Sequence, residues 1–197
     1  MKRLLMMIRL LDEIDSNQLR GEVASLAIES NRDFYDVFKL DDLELKNYIE
    51  KLILFDRGEF PYPVVCCEGE QVLGFYTAYS SAEIPVRQLM SLSMIGKEVF
   101  GLGERLKTFS SKVPSIKLDN YYYLSRIASS SKHRSRGVGA KLLEHCEDSA
   151  RDRGLSGVVM HVLKSNDLAL PFYLKRGYKI VIDTENRDNY VIIKKDF

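Results

Sequence analysis

Two short stretches hold residue types that could do chemistry. The first, HRSRGVGAKLL (His133 to Leu143), sets three basic side chains beside Gly137 and Gly139 and then turns apolar at helical spacing. From Arg126 to Lys141 the chain carries five Lys or Arg, one His and no acid. The first backbone N–H groups of a helix lack internal partners and carry the positive end of its dipole. Glycines there let a bulky oxyanion approach the backbone, and phosphate or pyrophosphate is the natural guest. Taken alone, the turn is equally open to a packing role. It is neither a GxGxxG fingerprint, lacking the third glycine, nor a Walker A loop, lacking GK[ST]. The second stretch is NDLALPFYLKRGY. There Asn166, Ala169, Tyr173 and Gly177 recur every three or four residues and so line one side of a short helix and its exit.

These stretches need elements to position them. Leu4 to Leu11 reads as a first strand. Ser16 or Asn17 caps a helix bearing Leu19, Val23, Leu26 and Ala27 on one face. A second helix starts at Asp41 with an apolar stripe of Leu45, Tyr48, Ile49, Leu52 and Ile53. YPVVCCEGEQVLGFYTAYS reads as a hairpin turning at Glu68-Gly69-Glu70. Tyr121 to Ser129, rich in aromatic and β-branched residues, is a strand. Val138 to Arg153 is a helix, Val158 to Leu163 a strand buried on both sides, and Leu168 to Arg176 a short helix. Tyr178 to Ile182 and Tyr190 to Lys194 make a closing pair of strands. The strand-helix-strand unit after Tyr121 implies two parallel strands. Residues 81–117, whose helical runs are interrupted by Gly96, Gly101 and Gly103, form an insertion within a single domain over 1–197.

Bulk properties narrow the classes. The chain has 197 residues, 45% of them hydrophobic, and a formal net charge of +1. Such a balance disfavours whole-surface binding to nucleic acid, and no aromatic interrupts the basic cluster to stack on bases. Cys66, Cys67 and Cys146 show no metal-ligand spacing, so no metal site is expected. Adjacent Cys66 and Cys67 point to opposite faces of a strand. An odd cysteine count favours a reducing compartment. The opening MKRLLMMIRL imitates a secretory signal, but Arg9 cuts the apolar run short and no small-residue cleavage site follows. The expectation is a cytoplasmic protein with no membrane contact.

The pattern Arg134-x-x-Gly137-x-Gly139, then one helix and one strand later Asn166-x-x-Ala169-x-x-x-Tyr173-x-x-x-Gly177-Tyr178, resembles the GNAT N-acetyltransferase superfamily. The close resemblance covers about residues 121–182. It implies an α/β (α+β) fold: a mixed, mostly antiparallel sheet with a central parallel strand pair splayed at the cofactor and helices on both faces. It implies acetyl-CoA as cosubstrate. The pyrophosphate would lie on the backbone N–H groups of Arg134, Ser135, Arg136, Gly137, Val138, Gly139 and Ala140. The pantetheine arm would run beside Ile127, Ala128 and Ser129. Asn166 and Ala169 would border it.

Acetyl transfer to a primary amine needs a polarised thioester carbonyl, a neutral amine and a proton for the departing thiolate. A free N–H at a strand distortion near Ile127 to Ser129 suits the first task. The resemblance gives Tyr173 the third, as the acid. The base stays open. Where relatives carry a strand Glu or His, this chain has Tyr123 and Ser125, so a water path past those two, or an acid from the insertion (Glu83, Glu98 or Glu104), are the candidates. His161, within an apolar run, reads as a core histidine and His145 as structural. The insertion is either a lid over the acceptor mouth or an outer-face elaboration or self-association surface. The acceptor is a small-molecule or peptide amine, and the protein a monomer or homodimer. A noncatalytic acetyl-CoA sensor of the same fold is the alternative function.

Overall fold

A computed structural model of the chain describes residues 6–11, 17–94, 101–110, 113, 115–133, 136–183 and 190–197. The hairpin predicted around Gly69 is present as β2 (Val64–Glu68) and β3 (Gln71–Ser80), with Gly69 at φ 63 in the turn. β1 (Met7–Leu10) adds to the outer edge of β2. β4 (Tyr122–Ser129) pairs antiparallel with β3 and parallel with β5 (Gly157–Leu163). β6 (Lys179–Asp183) and β7 (Tyr190–Asp196) complete a sheet of order β1-β2-β3-β4-β5-β7-β6. The expected mixed sheet with one parallel pair is therefore observed. The final hairpin folds back, so that β7 lies between β5 and β6.

The helices follow their sequence signals. α1 (Asn17–Ser30) buries Leu19, Val23, Leu26 and Ala27, the four residues of its expected stripe. A short α2 (Arg32–Tyr35) follows it. Asp41 caps α3 (Asp42–Leu54) in a reciprocal box: its side chain accepts from Glu44 N at 2.8 Å while Glu44 Oε2 accepts from Asp41 N at 2.9 Å. α1 and α3 cover one sheet face, closing over Val65, Cys67 and Phe75. The insertion forms α4 (Ile84–Met94) and α5 (Leu102–Ser110). α6 (Val138–Asp152) covers the other sheet face, packing Leu142 and Cys146 on Cys66, Leu73, Val158 and Ile193. Cys66 and Cys67 thus enter opposite layers, as strand alternation requires. Burial of each large aliphatic side chain in these layers stabilises by about 1.5–3 kcal/mol.

Gly96 and Pro114, both in the insertion, lie outside the described residues. α4 docks through Tyr48, whose hydroxyl donates to Ser91 O at 2.8 Å. α5 docks through Arg105 Nε, which donates to Val37 O at 2.7 Å. Both helices sit on the α1/α3 side of the sheet. α7 (Ala169–Leu174), on the α6 side, follows β5.

Candidate active site

β4 and β5 are registered only at Tyr122–Val158 and Tyr123–Val159. Beyond these two pairs the strands part. β5 is held instead by β7 over seven residues, and β4 by β3. Past Tyr123, the β5-facing edge of β4 is left without a strand partner. The physical cause is local. Thr77 and Ala78, adjacent on β3, pair with Arg126 and Leu124, so Ser125 is an extra residue on β4. This is a β-bulge, which bends its strand and frees ladder groups. The distortion lies at Ser125, earlier than the Ile127 to Ser129 position expected from sequence.

The glycine turn stands at the open end of this cleft. Gly137 caps α6 at φ 78, a left-handed conformation that a side chain would strain, and a Cβ there would meet nothing within 4 Å. Val138, Gly139 and Ala140 begin the helix with no acid in its first turn. Arg136 is paired with Glu68, with Nη2 2.7 Å from Oε1 and Nη1 3.2 Å from Oε2. Arg134 and Ser135 lie outside the described residues. Ile127 is half-buried, Ala128 buried and Ser129 exposed along the free stretch of β4. Asn166 Oδ1 accepts from Ala169 N at 2.9 Å and so holds the start of α7. Tyr173 is buried on the α6 side between Phe172 and Tyr178, at ring-centroid distances of 5.2 and 5.7 Å. Burial, helped by Cys146, pushes its phenol well above the usual value. It therefore keeps its proton through neutral pH.

The opposite face of the parted strands opens into a cavity of about 190 Å³. Its walls include Tyr123 and Arg126 of β4, His161 of β5, Tyr190 of β7 and Glu59 of the loop before β2. Strict alternation would send Arg126 to the face of Leu124. The extra residue at Ser125 returns it to the face of Tyr123. There its Nη2 lies 3.2 Å from Glu59 Oε2, with the two side chains only 11% and 12% exposed. Burial is the largest influence on Arg126 and works against its charge, but Glu59 together with Tyr35 and Tyr123 outweighs it, so its pKa stands above the usual guanidinium value. Glu59 is clamped by its backbone: its N donates to Ser91 Oγ at 3.0 Å, and its O accepts from Thr77 Oγ1 at 3.0 Å. The Tyr123 hydroxyl lies 3.1 Å from His161 Nδ1. Burial and then the Glu59 carboxylate raise the Tyr123 phenol well above its usual value, so it keeps its proton through neutral pH.

Some expectations move accordingly. Gln88, Ser91 and Leu92 of α4, Leu106 of α5 and Val113 line the cavity, so the 81–117 segment forms part of its wall. Glu83 is paired with Arg87 at 2.8 Å and lines a separate groove beside α6, Glu104 is exposed, and Glu98 lies outside the described residues. Ser125 Oγ is buried with no hydrogen-bond partner among the described residues, but Ser125 does not line the cavity. Sequence reasoning passes over Glu59 and sets His161 aside. Glu59 sits in no motif. The signal for Arg126 and His161 is their position on the two parting strands, which only the bulge makes readable.

A family model described as the Acetyltransferase (GNAT) family matches residues 23–178, and the chain belongs to that family. Among curated proteins it is similar to the uncharacterized N-acetyltransferase YjcF of Bacillus subtilis, 39% identical over 70 residues, 36% of this chain and 48% of that protein. It also resembles the chloroplastic GCN5-related N-acetyltransferase 6 of Arabidopsis thaliana, 33% identical over 63 residues, 32% of this chain and 22% of that protein. The matched stretch spans less than half of each of these relatives. An N-acetyltransferase from Staphylococcus aureus Mu50 shares the fold at TM-score 0.71 and 21% identity, over 96% of this chain and 100% of that one. No helix among the described residues is long and apolar enough to cross a membrane.

Proposed function

We propose that the protein is an acetyl-CoA-dependent N-acetyltransferase that moves the acetyl group to a primary amine by direct attack in a ternary complex. The observation that carries this reading is the parting of β4 and β5 after two pairs. It opens one cleft to the glycine turn on the α6 side and to the cavity walled by Glu59, Arg126 and His161 on the other. The open cradle at Gly137 fits a diphosphate, and the unpaired edge at Ile127, Ala128 and Ser129 fits an extended amide-bearing arm. Once bound there, the cosubstrate supplies an activated thioester.

The residues then divide the work. A backbone N–H freed by the bulge at Ser125 donates toward the carbonyl oxygen as negative charge builds on it. The amine lone pair forms the N–C bond while the C–S bond breaks. The amine proton leaves through His161 and the Tyr123 hydroxyl to solvent. The thiolate takes its proton from Tyr173, which is reprotonated from water. The aromatic and aliphatic walls of the cavity orient the amine and hold off bulk water. Calorimetry with acetyl-CoA, followed by thiol release over a panel of primary amines, tests the reading. Micromolar binding and amine-dependent thiol release are expected. No heat and no thiol would overturn it.

A further inference from the structure

The cavity on the α1/α3 side holds one anion and one cation, and both are only partly used by each other. Glu59 places Oε2 on Arg126 and leaves Oε1 outside that contact. Arg126 sends Nη1 to its own neighbour's carbonyl, Ser125 O, at 2.8 Å. Its Nε and Nη2 lie on one edge of the guanidinium, the fork that carboxylates occupy with two bonds. Glu59 takes only the Nη2 half, and Nε is buried with no partner among the described residues. The Tyr35 hydroxyl lies close to Arg126 and is likewise buried without a hydrogen bond of good geometry. Both residues line the cavity. Tyr35 and Arg126 face each other in one cavity with no well-formed hydrogen bond at the phenol or at Nε, and such loosely met buried groups gain when a ligand brings acceptors.

The charge balance narrows the ligand. A buried Glu–Arg pair sums to zero. A bare amine entering as its ammonium would add an uncompensated positive charge. A molecule carrying both an ammonium and a carboxylate adds none, and it can present each group to its opposite. Around the pair the walls are apolar: Phe34, Phe38, Phe60, Leu92 and the ring of Tyr48. The volume is about 190 Å³, and the apolar walls suit one apolar side chain while offering few partners to a sugar ring or a polyamine.

We propose that the acceptor is a free amino acid with an apolar side chain, its carboxylate on Arg126 Nε and the Tyr35 hydroxyl and its ammonium on Glu59. The proposal rests on the acetyltransferase reading for its activity arm but not for its binding arm.

The test compares phenylalanine, leucine and methionine with the amines that differ from each only by loss of the carboxylate. Two readouts serve: thermal shift of the wild-type protein, and thiol release with acetyl-CoA. At least one amino acid stabilises the protein where its decarboxylated partner does not, and its kcat/KM exceeds the partner's by roughly 100-fold or more, as expected when buried donors lose their acceptor. Tyr35→Phe reduces that ratio and Arg126→Gln erases it, and the wild-type comparison stands even if Arg126→Gln folds poorly. If acetyl-CoA binds and every bare amine matches or outperforms its amino acid, the proposal fails while the acetyltransferase reading survives. If acetyl-CoA never binds but an amino acid still stabilises the protein over its amine, the pocket assignment holds and the enzyme reading fails. If no amino acid in the set outdoes its partner in either readout, the proposal is overturned.

Discussion

Gly58→Ala should unseat the acceptor wall. Gly58 has φ 64, and a Cβ on it would stand 2.1 Å from Ser91 Oγ and 3.0 Å from Ser91 Cα. Two penalties follow. A non-glycine residue held in a sparsely populated backbone region costs about 1–3 kcal/mol. Ser91 must also move, and its Oγ is the acceptor for the buried Glu59 N–H. An orphaned buried donor costs about 1–3 kcal/mol. A total of about 4 kcal/mol, at roughly 2–4 °C per kcal/mol for a chain this size, lowers Tm by roughly 8–16 °C. The backbone of Glu59 shifts with it, so KM for the amine should rise more than Kd for acetyl-CoA. Gly103→Ala is the control. Gly103 lies within α5, has no positive φ, and a Cβ added to it would meet nothing within 4 Å. That change should be neutral or stabilising by about 0.5–1 kcal/mol. Differential scanning calorimetry of both variants decides. If Gly58→Ala melts within about 2–3 °C of wild type, roughly the 1 kcal/mol level, the close approach of α4 to this loop is wrong.

Tyr173→Phe should lower kcat by about 100-fold or more with acetyl-CoA affinity nearly unchanged, read by steady-state kinetics beside calorimetry; full turnover removes the phenol from the reaction. Gly137→Ala should weaken acetyl-CoA binding by about tenfold, because a side chain at φ 78 costs about 1–2 kcal/mol and twists the first amides of α6; unchanged affinity would place the diphosphate elsewhere. Stability should fall as pH rises above about 10, the ordinary phenol value. Burial holds Tyr76, Tyr123, Tyr173 and Tyr178 protonated in the folded state above that value, while the unfolded phenols ionise, so the unfolded state binds fewer protons there. A melting temperature that stays level between about pH 9 and 12 would contradict the burial of these rings.

Much of the site is legible in the order of residues. The glycine turn proposed as the anion cradle announces itself locally, since Gly137 and Gly139 open a helix that follows a basic loop. The cap at Asp41 and the turn at Gly69 are equally local, each set by side-chain or backbone preferences within a few residues. Asn166 and Tyr173 follow from helical spacing over eight residues. The cavity on the other face of the sheet is not legible in this way. Alternation puts Tyr123 and Ser125 on one face, but the extra residue at Ser125 brings Arg126 to the face of Tyr123 instead.

Residue order alone sets the elements, their amphipathic faces and the glycine turn, because each depends on contacts between residues close along the chain. The assembled fold was needed to place β7 between β5 and β6, to close α4 and α5 over the cavity, and to bring Glu59 to Arg126 across 67 positions of chain. Those choices depend on which distant surfaces bury each other and on a one-residue bulge, and neither leaves a periodic trace along the chain.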